Sequence, residues 1–203
     1  MAGPRELCDD GTPDDTGDST DRCFGCTELC GPRPRTDCHV AGGEEGKASL
    51  VLRPGGARGP TLDFRWQSAL ATAEELADPL TRASYALCVY DGGSAGQPLF
   101  EAQARVGQSC TTGACWKRFG RHGFRYSDRS TKNGLTQVQL ARKSSDRMRI
   151  RVVGKGATTA PASMPLMKPV TVQLVNSATA GCWQASFPAP TTNEPTAFRA
   201  AVR

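Results

Sequence analysis

From residue 48 onward, apolar and polar residues alternate with a period near two, and this pattern restricts the fold more than any other feature. Successive side chains of a strand point to opposite faces, so the period predicts strands with one buried and one wet face. Turns such as Asp91-Gly92-Gly93 and Lys132-Asn133-Gly134 separate them. The predicted strands are Ala48–Arg53, Thr61–Gln67, Ser84–Tyr90, Pro98–Arg105, Gly123–Ser127, Leu135–Ala141, Arg147–Val153, Pro169–Val175, Gly181–Phe187 and Thr196–Ala201.

Short strands without the spacing of βαβ units predict an all-β fold, an antiparallel β-sandwich. Residues Thr72 to Leu80 read as helical, with Pro79 ending the helix early. In the strand from Arg147, the even-numbered residues face the core and three arginines face solvent. These are Met148, Ile150 and Val152 on one side and Arg147, Arg149 and Arg151 on the other.

Charge divides the chain into two parts. Residues 1–46 contain 11 acidic and 4 basic residues, whereas residues 47–203 contain 9 acidic and 21 basic residues. The first part is too short and polar to bury a core without cross-links. We therefore expect a small, irregular, disulfide-rich acidic segment and linker at 1–46, and a β-sandwich module at 47–203.

Nine cysteines predict disulfides as the cross-links. They are Cys8, Cys23, Cys26, Cys30, Cys38, Cys88, Cys110, Cys115 and Cys182. The short Cys110–Cys115 interval predicts a local bridge, which leaves Cys88 to pair with Cys182. An odd total leaves one thiol unpaired, which suggests a piece of a longer protein.

Metal binding is the competing interpretation of the early cysteines. Cys23, Cys26 and Cys30, followed by Cys38-His39, have spacings short enough for a zinc site. Such a site normally uses two well-separated ligand pairs, so disulfides are favoured, and neither a metal nor a cofactor is predicted. The aspartates at positions 9, 10, 14, 15, 18 and 21 could offer oxygens to calcium, but their spacing does not match an EF-hand loop.

Catalytic signals are weak. Gly92-Gly93-Ser94-Ala95-Gly96 matches the G-x-S-x-G nucleophile elbow, yet a strand follows it where that motif needs a helix. The two histidines, His39 and His122, give no convincing acid and base pair with the scattered carboxylates. We therefore predict no catalytic residues and no enzymatic activity.

Cysteine usage and the terminus together suggest a compartment. No apolar run approaches the roughly 18 residues of a membrane span, and the start lacks the apolar region of a secretory signal. Disulfides point to an oxidising environment. We expect an extracellular or cell-surface location, with export directed by sequence not present here.

A basic stretch gives the strongest binding signal. Residues 117–155 contain 12 Lys or Arg against two Asp. A charged face of this kind attracts phosphate, sulfate or uronate groups, although it also serves simple solubility. The candidate polyanion-binding residues are Arg142, Lys143, Arg147, Arg149 and Arg151. No aromatic stacking platform accompanies them, which disfavours nucleic acid.

Six short segments, in order, resemble a known β-rich module. They are Gly46-Lys-Ala-Ser-Leu, Tyr85-Ala-Leu-Cys-Val-Tyr-Asp91, Cys115-Trp-Lys117, Gly123-Phe-Arg-Tyr-Ser-Asp128, Pro169-Val-Thr-Val-Gln-Leu174 and Gly181-Cys-Trp-Gln-Ala185. The module is an uncharacterised C-terminal part of secreted deltaproteobacterial proteins, and the resemblance spans about residues 38–203. Upstream, Glu6-Leu-Cys-Asp-Asp-Gly11 with the next three cysteines is similar to part of a myxobacterial-type cysteine-rich repeat.

The resemblance implies a secreted module joined to other domains of a longer chain, with no established activity. Where relatives tend to carry Lys on late strands, this chain has Arg, which favours bidentate contacts with oxyanions. The leading expectation is a non-catalytic extracellular structural or adhesion module. The alternatives are a module binding polyanions or acidic glycans through its Arg-rich strand face, and an intracellular zinc- or nucleic-acid-binding protein.

Overall fold

The computed structural model describes residues 29–31, 33–55, 59–68, 74–93, 97–130, 134–142, 147–156, 159, 161, 163–179 and 181–203. In this part of the chain there are fifteen strands, two short 3-10 helices and no α-helix. The strands are β1 (His39–Val40), β2 (Gly46–Arg53), β3 (Thr61–Ser68), β4 (Tyr85–Tyr90), β5 (Phe100–Ala104), β6 (Ser109–Cys110), β7 (Gly113–Ala114), β8 (Trp116–Arg118), β9 (Gly123–Ser127), β10 (Leu135–Arg142), β11 (Met148–Lys155), β12 (Val170–Asn176), β13 (Cys182–Phe187), β14 (Thr192–Glu194) and β15 (Ala197–Val202).

Two sheets form a β-sandwich. Sheet A has the strand order β1-β13-β12-β4-β5, and sheet B has the order β14-β15-β2-β3-β11-β10-β9-β8. Strands β6 and β7 form a small separate hairpin. All neighbouring strands are antiparallel except β1, which pairs in parallel with β13. The predicted all-β, antiparallel sandwich is therefore confirmed.

The core lies between the sheets and follows the alternation of the sequence. In β11, Met148, Ile150 and Val152 are fully buried, whereas the intervening residues are not. Sheet A contributes Trp183 and sheet B contributes Trp66. The Nε1 of Trp66 donates a hydrogen bond to the carbonyl of Gln184 on β13 at 3.0 Å, which ties the two sheets together.

A second, smaller core covers the outer face of sheet A. Residues 29–31 and 33–38, here called the N-terminal strap, are linked to that face by disulfides Cys30–Cys88 and Cys38–Cys182. Beneath the strap lie the buried residues Ala86, Tyr90 and Val175. Burial of these apolar side chains on the outer face explains why every residue of β4 is buried.

Polar contacts reinforce this attachment. The amide of Gln173, a buried residue of β12, accepts a hydrogen bond from the Arg35 N–H at 3.0 Å and donates one to the Arg35 carbonyl at 2.7 Å. The Tyr90 hydroxyl donates to the Gly31 carbonyl at 3.0 Å. The strap is therefore held by hydrogen bonds between its backbone and side chains of sheet A, as well as by the two disulfides.

The disulfides correct one prediction and confirm another. The expected Cys88–Cys182 bridge is wrong, because each cysteine pairs instead with one from the strap. The local Cys110–Cys115 bridge is confirmed. The three other predicted disulfide cysteines, Cys8, Cys23 and Cys26, lie outside the described residues.

All ten predicted strands are present, with ends that differ by no more than two residues. The helical prediction for residues 72–80 is wrong over its described part, which has only the 3-10 turn Glu74–Leu76. Asp78 accepts a hydrogen bond from the Leu80 N–H at 2.8 Å, and this local turn competes with a helix. The division at residue 46 stays a prediction, since much of residues 1–46 is not described. No helix in the described ranges is long and apolar enough to span a membrane.

Candidate functional site

The outer face of sheet B carries a concentration of basic side chains. Its strands bury alternate residues against sheet A, so the remaining positions point away from the core. On β11 these outward positions include Arg149 and Arg151. Their cross-strand partners on β3 are Gln67 and Arg65, which pack beside them because directly opposed residues of a sheet share a face.

These side chains line an open groove of about 840 Å³. Its lining combines positively charged residues with polar Ser49, Gln67 and Gln139. Glu44 is the one acidic residue among the described residues of that lining. The basic residues that line it are Lys47, Arg65, Arg147, Arg149, Arg151 and Arg203. This groove is called the basic groove below.

Asp63 organises two of these cations from the adjoining position on β3. Its carboxylate oxygens accept hydrogen bonds from Arg65 Nε at 3.0 Å and Arg151 Nη2 at 2.9 Å. Burial alone would raise the pKa of Asp63, but the hydrogen bonds from the two guanidinium groups and their charge hold it below its ordinary value. The same hydrogen bond, with the Asp63 charge, raises the pKa of Arg65. The Asp63 carboxylate therefore fixes the orientation of both arginines.

The guanidinium groups keep unused hydrogen-bonding capacity. Arg149 Nη2 donates one hydrogen bond, to Gln67 Oε1 at 3.4 Å. Arg149 is exposed, so its other N–H groups are open to solvent, whereas Arg151 Nε is shielded from solvent and is out of reach of a ligand in the groove. An arginine fork binds planar or tetrahedral oxyanions through two N–H groups at once. The groove can therefore hold sulfate, phosphate or carboxylate groups.

The structure brings together only part of the predicted set. Arg147, Arg149 and Arg151 line the basic groove. Arg142 is exposed at the end of β10, where it pairs with Met148. It therefore shares the core-facing side of the sheet with Met148 and does not line the groove. Lys143 lies outside the described residues.

Sequence reasoning missed the groove cations Lys47, Arg65 and Arg203. Lys47 and Arg65 occupy outward positions of strands that were predicted with correct phase, so their direction was available from the alternation. The alternation does not show that they lie close to β11, because that depends on β3 lying between β2 and β11. Strand order is a long-range property that local patterns do not contain.

A smaller cavity of about 240 Å³ lies at the edge of sheet A. There His39 Nε2 lies 2.8 Å from Glu75 Oε1, and Thr179 and Asp37 complete the rim. Asp37 is already bound to Arg35, whose hydrogen bond holds the pKa of that carboxyl below its ordinary value. The arrangement attaches β1 to the loop before β4.

The remaining candidate motifs fall as follows. The loop containing Gly92 and Gly93 joins the antiparallel pair β4 and β5, so no helix follows the G-x-S-x-G match, whose last three residues are not described. His122 is exposed in the β8–β9 loop.

Cys30 and Cys38 are in disulfides, and no cluster of metal-ligating side chains occurs in the described ranges. The acidic residues considered for calcium lie outside those ranges.

No protein family, curated protein or solved structure matches this chain. The arrangement of the basic groove is therefore the starting point for function.

Proposed function

We propose that this chain is a non-catalytic binding module that holds anionic glycans, polymers bearing sulfate or uronate groups, in the basic groove. The supporting observation is the convergence of six basic side chains on one open groove: four lie on β2, β3 and β11, and two flank β11 and β15. The described lining contains one acidic residue, Glu44. Concentrated positive charge on a concave surface attracts anionic polymers and accelerates their association.

The polar residues between the cations favour glycans over nucleic acids. Ser49, Gln67 and Gln139 offer hydroxyl and amide groups, which can hydrogen-bond sugar hydroxyls. Single-stranded nucleic acids are held largely by stacking on aromatic rings. The only aromatic residue in the described lining is Trp66, which is 1% exposed and uses its indole N–H in the core.

The wider setting of the proposal is an adhesive or structural role in a larger extracellular protein. Three disulfides are compatible with an oxidising environment. The resemblance to a C-terminal module of secreted bacterial proteins supports the same setting. The outer face of sheet B would then contact the glycan while the strap side connects to the preceding chain.

A groove variant tests the proposal. Lys47→Gln, Arg147→Gln and Arg149→Gln together remove three cations without disturbing the ion pairs of Asp63. At about 0.5 kcal/mol for each exposed ion pair with the ligand, affinity for heparin should fall roughly tenfold at low salt. The slope of log affinity against log salt should become shallower by about one for each cation that no longer pairs with the polymer. Isothermal titration calorimetry over a salt series measures both.

A matched variant controls for net charge. Arg33→Gln, Arg82→Gln and Lys168→Gln remove three exposed cations that do not line the groove, and they should leave heparin affinity nearly unchanged. Equal losses of affinity in the two triple variants would show general charge attraction and would contradict a built site. Binding of duplex DNA in preference to heparin and polyuronate would reassign the ligand class.

A further inference from the structure

The strand register extends the positive charge beyond the basic groove. Lys117 on β8 is opposite Arg125 on β9, and Arg125 is opposite Gln139 on β10. Gln139 is opposite Arg151 on β11, which is opposite Arg65 on β3. Five neighbouring strands thus place four cations and one amide in a single line, called the basic row below.

Every member of the basic row points away from the core. Each member has a buried core residue next to it in sequence, for example Trp116 beside Lys117 and Tyr126 beside Arg125. Lys117, Arg125 and Arg65 are exposed, and Arg151 retains 41% side-chain exposure. The four cations of the row are therefore accessible, and Gln139 between them is half-buried.

The row has a direction and a length. Neighbouring strands are about 4.8 Å apart, so four steps from β8 to β3 span about 19 Å across the strands. The next row along the strands also starts with cations, Lys47 and Arg149, but continues to Ala141 and Gly123. In the described part of sheet B, only the basic row carries positive charge from the groove past β10.

The part of the row outside the groove sits on a well-fixed hairpin. The Phe119 N–H donates to the Gly123 carbonyl at 2.8 Å. The Arg118 guanidinium lies 5.7 Å from the centre of the Phe124 ring and 3.4 Å from Asp78 Oδ2. None of these contacts uses the side chain of Lys117 or Arg125, so both side chains can be changed without removing what holds the hairpin.

We infer that the groove's ligand is an extended linear polyanion lying across the strands, and that Lys117 and Arg125 form a distal subsite for it. This inference rests on the proposed function of the basic groove. Anionic groups at one end of the polymer contact Arg65 and Arg151, Gln139 faces the intervening sugar, and the next anionic groups reach the distal pair. A small anion or a short oligosaccharide fills the groove and leaves the distal pair unused.

The test measures how binding depends on ligand length. The chain of residues 1–203 is titrated with heparin oligosaccharides of increasing size, and affinity should rise until the oligosaccharide spans about 19 Å and then level off. In the variant Lys117→Gln with Arg125→Gln, long oligosaccharides should bind about fivefold more weakly. Short oligosaccharides should bind as they do to the unmodified protein.

A charge-matched control and the groove variant separate the outcomes. Arg33→Gln with Lys168→Gln removes two cations elsewhere and should change the binding of neither long nor short ligands. If the distal variant weakens long and short ligands equally, or weakens neither, the distal subsite is wrong, although the groove triple variant can still bind less and uphold the groove itself. If heparin of every length fails to bind the unmodified protein, the groove and the subsite are both wrong.

Discussion

At the scale of single residues, Asp63 determines how much of the positive charge of the basic groove is neutralised within the protein. It is partly buried, with 27% side-chain exposure, and it contacts two of the six groove arginines and lysines. Its carboxylate holds the Arg65 and Arg151 forks in place and also neutralises part of their charge. Asp63 therefore has two opposing effects: it orients the two arginines, and it weakens their attraction for an anion.

Asp63→Asn should strengthen heparin binding. The amide oxygen can still accept a hydrogen bond from one arginine, but the negative charge of Asp63 is gone. Repulsion between that charge and an anionic group of the ligand costs about 1 kcal/mol at about 4 Å in water. We expect roughly fivefold higher affinity, together with a loss of less than about 1 kcal/mol of unfolding free energy. Calorimetric titration and urea unfolding measure these changes. Unchanged or weaker binding would mean that Asp63 acts mainly by orienting the arginines.

At the scale of elements, the N-terminal strap shows how a segment without a regular structure becomes part of the fold. It contains no strand of its own before β1, yet it buries the outer face of β4 and β12. Its disulfides close chain separations of 58 and 144 residues. Long closures restrict the unfolded chain more than short ones in the chain-entropy treatment.

Removing Cys30–Cys88 by double alanine substitution should lower the unfolding free energy by about 2–4 kcal/mol. The decrease combines the relaxed unfolded chain with exposure of the apolar patch beneath the strap. Urea unfolding with tryptophan fluorescence measures it. The comparison is Cys110→Ala with Cys115→Ala, which opens a closure of only 5 residues and should cost about 2 kcal/mol or less. A larger decrease in that second variant would contradict the structural importance of the strap.

Local patterns in the sequence predict where most strands lie in the chain but not which strands are neighbours in a sheet. The period-two alternation places Met148, Ile150 and Val152 in the core because strand geometry acts residue by residue. The two-residue strand β1 and the three-residue strands β8 and β14 are too short to show a period. The strap partners of Cys88 and Cys182 depend on which segments meet in space, as does the meeting of Lys47 with Arg149. For that reason the predicted site held only residues from the end of β10, from β11 and from the segment between them, and it missed the cations of β2, β3 and the end of β15.

At the scale of the whole molecule, two carboxyl groups on opposite sheets shape the pH dependence of stability. Asp63 on sheet B has a lowered pKa, so its ion pairs stabilise the fold above the ordinary carboxyl pKa of about 4 and stop doing so as pH falls through the folded-state pKa. Glu101 on β5 of sheet A behaves oppositely, since burial raises its pKa from 4.5 to about 7. Its protonated form fits the fold best, so its contribution is complete below pH 4.5 and disappears as pH rises through about 7.

Glu101→Gln should remove the decline in stability between about pH 4.5 and 7. A neutral amide resembles the protonated carboxyl, so the variant should be more stable than the unmodified protein by about 1 kcal/mol at pH 8, after allowance for partial solvent screening. Unfolding in urea across that pH range measures the effect. Glu194→Gln, which removes an exposed carboxylate from β14, is the control for net charge. A decline that persists in the Glu101 variant would assign it to another group.

The disulfide between Cys30 and Cys88 also has a mechanical consequence. Cys88 lies in β4, which is paired on both sides by β12 and β5. Tension that arrives from the residues before Cys30 therefore enters an interior strand through a covalent bond, without first peeling the strap from sheet A. The hydrogen bonds of β4 to both neighbours then resist that tension together, while the face that would hold a glycan is on the opposite side of the sandwich. Under the proposed function, a pull between the residues before Cys30 and a polymer in the basic groove would cross both sheets of the sandwich.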